Sequence, residues 1–258
     1  MKIQPCTILG VDFFSESFSE LISKAQRGGL VLAPSGPGMA SDLPNCEFYR
    51  KALDKADLIL PDSGLMCLWQ NLFTNNKVIR ISGLRFLETF LNEFKFFESS
   101  FWVMPDSAQS KKNISWIKKA YGYEVKQNQV YIAPIYSKVG HLTDTALLSK
   151  LQVLNPSTVF IQLGGGVQER LGLFLKENLK VDSTILCTGA ALAFLSREQA
   201  PIPKWVDKYY LGWLMRCIFN PKVFFPRYMK AFRLIYLLMK YGKKSPKFKL
   251  NESRKQKE

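Results

Sequence analysis

Histidine is nearly missing from this chain: His141 stands alone among 258 residues. One imidazole near a helix start, with no motif around it, supplies neither a metal cluster nor a Ser/His/Asp arrangement and reads as a surface residue. The five cysteines, Cys6, Cys46, Cys67, Cys187 and Cys217, are scattered singly with no CxxC pair. With the single histidine, that spacing argues against a zinc site or a disulfide framework and for a reducing compartment. No apolar run approaches the roughly 18 residues of a spanning helix; "LIYLLM", from Leu234 to Met239, is far shorter. The N-terminal stretch is broken by Gln4, Pro5 and Asp12 and does not read as a secretory signal, so a cytoplasmic location is expected. Neither GxGxxG nor a phosphate loop ending in Gly-Lys-Ser/Thr occurs, which leaves a Rossmann dinucleotide site and a nucleoside triphosphatase without support.

Acid is scarce in one region only. Residues 201–258 hold 15 Lys or Arg against Asp207, Glu252 and Glu258, so this segment carries +12 of the net +15. A negatively charged partner is therefore sought there.

What is present is a core. A hydrophobic fraction of 47% in 258 residues suits one α/β domain with an appendage. Short β-rich runs occur near residues 30 ("LVLA"), 58 ("ADLIL"), 79 ("KVIRI"), 102 ("FWVM"), 131 ("QVYIA"), 160 ("STVFIQL") and 185 ("STILC"). They alternate with amphipathic stretches such as "EFYRKALDKA" and "GLRFLETFLNEF". Strand and helix in turn predict a Rossmann-like parallel sheet with helices on both faces. In such sheets ligands bind beyond the carboxyl ends of the strands. Three loops there have small residues that let a backbone come close to a ligand: "APSGPG", "PDSG" and "GGGVQE".

Each loop has two readings. Asp62 before Ser63 and Gly64 is a good turn former, and it is equally a carboxylate at a strand's mouth. Ser35 and Gly36 either bond a ligand or cap the next segment. Gly164, Gly165 and Gly166 form a flexible turn, yet Gln168 and Glu169 follow at a helix start, where amides favour an anion such as a diphosphate. Glu169 is as well explained by a favourable charge at that helix start.

Beyond residue 200 the chain becomes dense in aromatics and bases, and prolines 201, 203, 221 and 226 are expected to cut it into short helices. Bases interleaved with aromatics from Arg227 to Tyr241 suit a membrane interface. The boundaries expected are a core over 1–200, a basic helical appendage over 201–242 and a solvated tail over 243–258. No nucleic-acid-binding motif accompanies the charge, so anionic lipid or a lipid-linked diphosphate is the favoured partner and nucleic acid is not. Packing of the appendage on a neighbouring copy leaves a homo-oligomer open.

In order and spacing, "ADLILPDSG", "VIRISGLRFLETFL", "FIQLGGGVQE", "CTGAALAFLS" and "APIPKWVDKYYLGWLMRCIFNPKVFFPRY" together resemble the WecG/TagA/CpsF family of bacterial glycosyltransferases, glycosyltransferase family 26. The resemblance covers most of the chain, from about Cys6 to Phe232. It implies inverting transfer of a sugar, N-acetylmannosamine-like or glucose-like, from a UDP-sugar to a polyprenyl-diphosphate-linked sugar, without metal or cofactor, at the inner face of the cytoplasmic membrane. Under it Asp62 is the base, and Gln168 and Arg80 match the family's glutamine and the basic residue before its Ser/Thr-Gly; with Ser35, Gly36, Gly164, Gly165, Glu169 and Gly189 from the loops above, they are the expected substrate contacts. Arg216 and Arg227 are the arginines that hold a diphosphate. The chain departs from the family pattern at Ala33, Pro34 and Ser35, and again at Ser63, Val167 and Gly212. Those departures keep a second class in view: a catalytically impaired nucleotide-sugar-binding or scaffolding protein of a polysaccharide assembly complex.

Overall fold

The computed structural model describes residues 6–75, 77–179, 183–196 and 212–248. Strands β3 (Gly29–Leu32), β4 (Leu58–Ile59), β5 (Ser100–Met104), β6 (Val130–Ile132), β7 (Thr158–Ile161) and β8 (Thr184–Cys187) form one sheet. Their order is β4-β3-β8-β7-β5-β6, and every neighbouring pair is parallel.

Alternation along these strands fills both faces. Leu30, Leu32, Phe101, Val103, Val159, Ile161, Ile185 and Cys187 point to one apolar cluster, while Val31, Trp102, Met104, Phe160 and Leu186 point to the other. This is the period-two geometry of a sheet buried on both sides. On the first face lie α2 (Gly36–Ser41), α3 (Glu47–Lys55), α4 (Gly64–Phe73), α7 (Thr145–Leu154) and α8 (Val167–Asn178). The second face carries α1 (Phe18–Ala25), α5 (Gly83–Glu93), α6 (Ser107–Tyr121) and α9 (Ala191–Leu195). The chain thus has the α/β Rossmann-like fold that the alternation of runs predicts.

Two further pieces complete it. An antiparallel hairpin, β1 (Cys6–Ile8) and β2 (Val11–Phe13), turns on Leu9 and Gly10 at φ 53° and 78°. Positive φ at both turn residues matches the twist of a two-residue hairpin, although Leu-Gly is a weak sequence signal for one. At the other end stand α10 (Gly212–Phe219) and α11 (Pro221–Tyr241). Leu234, Leu237 and Leu238 of α11 are buried in the first cluster, and α11 lies across α2 and touches α4.

The structure differs from the sequence reading in three places. "KVIRI" forms no strand: the side-chain amide of Asn71 accepts from Val78 N at 2.7 Å and donates to Val78 O at 2.9 Å, doing for that residue what a strand partner would. Pro226 does not end a helix: it lies inside α11, five residues after its start, where its missing N–H forfeits a single bond of the second turn, while Leu234, Leu237 and Leu238 anchor the later turns; Pro221 sits at the first position, where a missing N–H costs nothing. Prolines 201 and 203 lie outside the described residues. Contact with the body also continues past residue 242. Leu9 N donates to Gly242 O at 2.8 Å, Gly10 N to Lys243 O at 2.9 Å, and the Arg50 guanidinium to Pro246 O at 2.8 Å.

Candidate active site

Adjacent strands β4, β3, β8 and β7 end side by side, so the loops that follow them form one rim. Asp62 sits three residues past β4. Its Oδ1 accepts from Gly83 N at 3.0 Å, the first amide of α5, and Arg80 Nη2 lies 4.0 Å from the same oxygen. Arg80 also donates through Nε to the Asp62 carbonyl at 2.9 Å. A helix N-terminus and a guanidinium together complement an ionised carboxylate. The start of α5 can come this close because residue 83 is glycine. A Cβ there would stand 3.1 Å from Ala33 Cβ and 3.4 Å from Thr188 O, so α5 is wedged between the loops after β3 and β8.

Ser63 turns inward. Its hydroxyl accepts from Met66 N at 3.3 Å, capping α4, and it packs against Gly36, where a Cβ would meet Ser63 Oγ at 2.8 Å. Ser35 likewise caps α2, accepting from Gly38 N at 3.3 Å. Behind this wall Cys67 Sγ donates to Pro61 O at 3.3 Å, and burial pushes its thiol up to about 12, which removes it as a nucleophile.

The β7 and β8 loops are tied through α8. Gln168 accepts on Oε1 from Gly189 N at 2.6 Å and donates from Nε2 to Glu169 Oε1 at 3.2 Å. Glu169 Oε2 accepts from Gly166 N at 2.6 Å. Glu169 has no exposed surface, and burial raises its carboxyl to about 7 against the opposing pull of these donors, with the Asp42 carboxylate adding to the rise. Gly166, at φ 85°, could not carry a side chain: its Cβ would lie 2.7 Å from Asp42 Oδ2. Tyr49 completes this buried acidic pocket, its hydroxyl fully enclosed without a hydrogen-bond partner among the described residues and its ionisation suppressed by burial and by Glu169 and Asp42.

The structure therefore brings Asp62, Arg80, Ser35, Gly36, Gln168, Glu169 and Gly189 to one rim, with Gly164 and Gly165 exposed at its lip. Within it Arg80, Gln168 and Glu169 bond neighbouring loops. Arg216 and Arg227 fall on α10 and α11, and their side chains lie outside the described residues.

Sequence reasoning missed Gly83, although the Ser-Gly before a helical run in "ISGLRF" was signal enough. It also missed Arg170. That buried side chain donates to Gly166 O at 2.8 Å, Gly140 O at 2.9 Å and Ser137 O at 2.6 Å, fixing the loop after β6 to the glycine turn. Nothing in local pattern marks an arginine on a helix as buried. Among the described residues no three His, Cys, Asp or Glu side chains gather as a metal site requires.

A family model described as "Glycosyl transferase WecG/TagA/CpsF family" matches residues 6–248. No curated protein matches the chain.

Proposed function

The chain belongs to the WecG/TagA/CpsF family of glycosyl transferases, and on that premise we propose that it moves a hexose from a UDP-sugar to a polyprenyl-diphosphate-linked sugar, with inversion and without metal. The observation that carries this reading is the placing of Asp62. It stands at the mouth of β4, held by Gly83 N and Arg80, between the capped Ser35 loop and the loops joined through Gln168.

In the proposed step the Asp62 carboxylate takes the proton of an acceptor hydroxyl as that oxygen attacks the anomeric carbon from the face opposite UDP. The C–O bond to UDP breaks as the new glycosidic bond forms, and the electron pair leaves on the diphosphate. Arg80 and the first turn of α5 keep the carboxylate in place through the transfer. Arg216 and Arg227, on the appendage, take up the charge that develops on the leaving diphosphate, a task suited to bidentate, permanently charged groups. The site lies at the inner face of the cytoplasmic membrane, to which the basic appendage is drawn.

Replacing Asp62 by Asn tests the base. Transfer of labelled sugar should fall by about 10²–10⁴-fold, with the circular dichroism spectrum retained, and undiminished transfer would remove Asp62 from that role. The competing reading, a nucleotide-sugar-binding scaffold without turnover, draws on the departures from the family pattern around Ser35, whose hydroxyl caps α2, and Gly212. Release of UDP from a panel of UDP-sugars separates the two, since a scaffold releases none.

A further inference from the structure

Glu169 is left without a task in the proposed transfer. No part of its surface reaches solvent, so in this arrangement it touches neither a sugar nor a diphosphate, and any effect it has on the rim passes through its neighbours.

Those neighbours form a series. Glu169 Oε2 accepts from Gly166 N at 2.6 Å and Oε1 from Gln168 Nε2 at 3.2 Å, while the other end of the same amide, Gln168 Oε1, accepts from Gly189 N at 2.6 Å. An ionised carboxylate can only accept, so it turns the nitrogen of Gln168 toward itself and leaves the oxygen for Gly189. Gly189 follows Thr188, the backbone against which α5 begins: a Cβ on Gly83 would lie 3.4 Å from Thr188 O and 3.9 Å from Thr188 Cα. Gly83 N is in turn the amide that holds Asp62 Oδ1 at 3.0 Å. One line of contacts therefore runs from the buried acid to the carboxylate at the mouth of β4.

A proton on Glu169 changes the first link. Both of its oxygens already accept a hydrogen bond, so protonation makes one of them a poorer acceptor and adds an O–H that needs an acceptor of its own. The Gln168 amide then loses the partner that fixes its direction. The groups facing Glu169 are Asp42 at the end of α2, Tyr49 on α3, Cys187 on β8 and, on its own helix, Gln168 and Arg170. Burial, reinforced by the Glu169 charge, keeps the Tyr49 hydroxyl and the Cys187 thiol protonated. The Arg170 guanidinium is engaged by the carbonyls of Gly166, Gly140 and Ser137. Burial thus raises the Glu169 carboxyl to about 7 and Asp42 adds to the rise, so the charge that ties the series is held where burial opposes it. Ionisations perturbed in this way concentrate at functional sites.

We propose that Glu169 is a positioning residue of the rim: as a carboxylate it holds Gln168, Gly189 and the start of α5 in the arrangement that presents Asp62, and as a carboxylic acid it slackens them. This rests on the proposed function for the role of Asp62, whereas the link among the glycines stands on the geometry alone.

Selective isotopic labelling of the glycine nitrogens in the full chain tests the link by magnetic resonance, and transfer kinetics test its effect. In the parent, the amide resonances of Gly166, Gly189 and Gly83 should move together with a midpoint of about 7, and in Glu169→Gln they should stand still. Gln168→Met cuts the series after its first bond and should leave Gly166 moving while Gly189 and Gly83 fall silent. The ratio of parent to Glu169→Gln kcat should be about 10 at about pH 8 and approach unity at about pH 6, with KM alike in both chains. Any titration of Asp62 is common to the two chains and cancels in that ratio. Resonances that move alike in parent and Glu169→Gln, a Gly189 signal indifferent to Gln168→Met, or a kcat ratio independent of pH would each overturn the proposal. A parent chain that transfers no sugar at any pH would sink the activity reading by itself, and the resonances would still decide whether Glu169 governs the rim.

Discussion

Glu169 gives the chain a pH dependence that can be worked out from its surroundings. Burial raises its carboxyl from 4.5 to about 7 in the folded protein. In the unfolded chain the proton leaves near the ordinary value, so between these limits the folded state binds the extra proton. Stability therefore falls as pH rises through the window from about 4.5 to about 7 and levels off above it, by about 3 kcal/mol in total. Glu169→Gln has no proton to lose and should abolish this slope. At pH values above the window it should match or exceed the parent in stability, less the cost of turning an amide toward the Gln168 amide that now donates to Glu169. Urea denaturation of both chains at the two ends of the window measures the difference, in which the contributions of other carboxylates cancel. An equal pH dependence in parent and variant would refute the assignment of the slope to Glu169.

Gly36→Ala should destabilise the protein by about 1–3 kcal/mol, since its Cβ would stand 2.8 Å from the capped Ser63 hydroxyl. Adding Ser63→Gly should recover all but about 1 kcal/mol, the worth of the cap; thermal unfolding that shows no recovery would break the pairing of these two positions. Leu234→Ala should cost about 2–5 kcal/mol, measured by denaturant midpoint, because α11 supplies that side chain to the core, where it is fully buried. A chain cut near residue 200 should for the same reason lose stability as well as membrane affinity.

Much of the fold was legible because strands buried on both faces are short, apolar and bounded by glycine, proline or charge. All of β3 to β8 fall on runs that could be picked out by eye, and the loops after β3, β4 and β7 were recognisable from their small residues. The failures share a cause: they depend on partners far away in the chain. "KVIRI" has the composition of a strand, yet Asn71 takes the hydrogen bonds of Val78. Pro226 breaks helices locally, but the row at 234, 237 and 238 is anchored by the core. In the site, Asp62 could be chosen as a candidate, whereas its dependence on Gly83 rests on a contact across 21 residues. Glu169 was visible as a charge at a helix start; that it is enclosed with Asp42 and Tyr49 nearby was not.

The clasp between the β1–β2 turn and residues 242 and 243 bears on how the protein is made. Leu9 and Gly10 wait for carbonyl partners that leave the ribosome 233 residues after Gly10, roughly 10–50 s later at ordinary rates of synthesis. Until then the floor beneath α2 lacks Leu234, Leu237 and Leu238, and the turn of the hairpin lacks its two bonds to residues 242 and 243. A nascent chain would thus hold a nearly finished sheet with an open apolar flank, closed last by the same basic segment for which we propose a lipid partner. Assembly and arrival at the membrane would then be neighbouring events rather than separate ones.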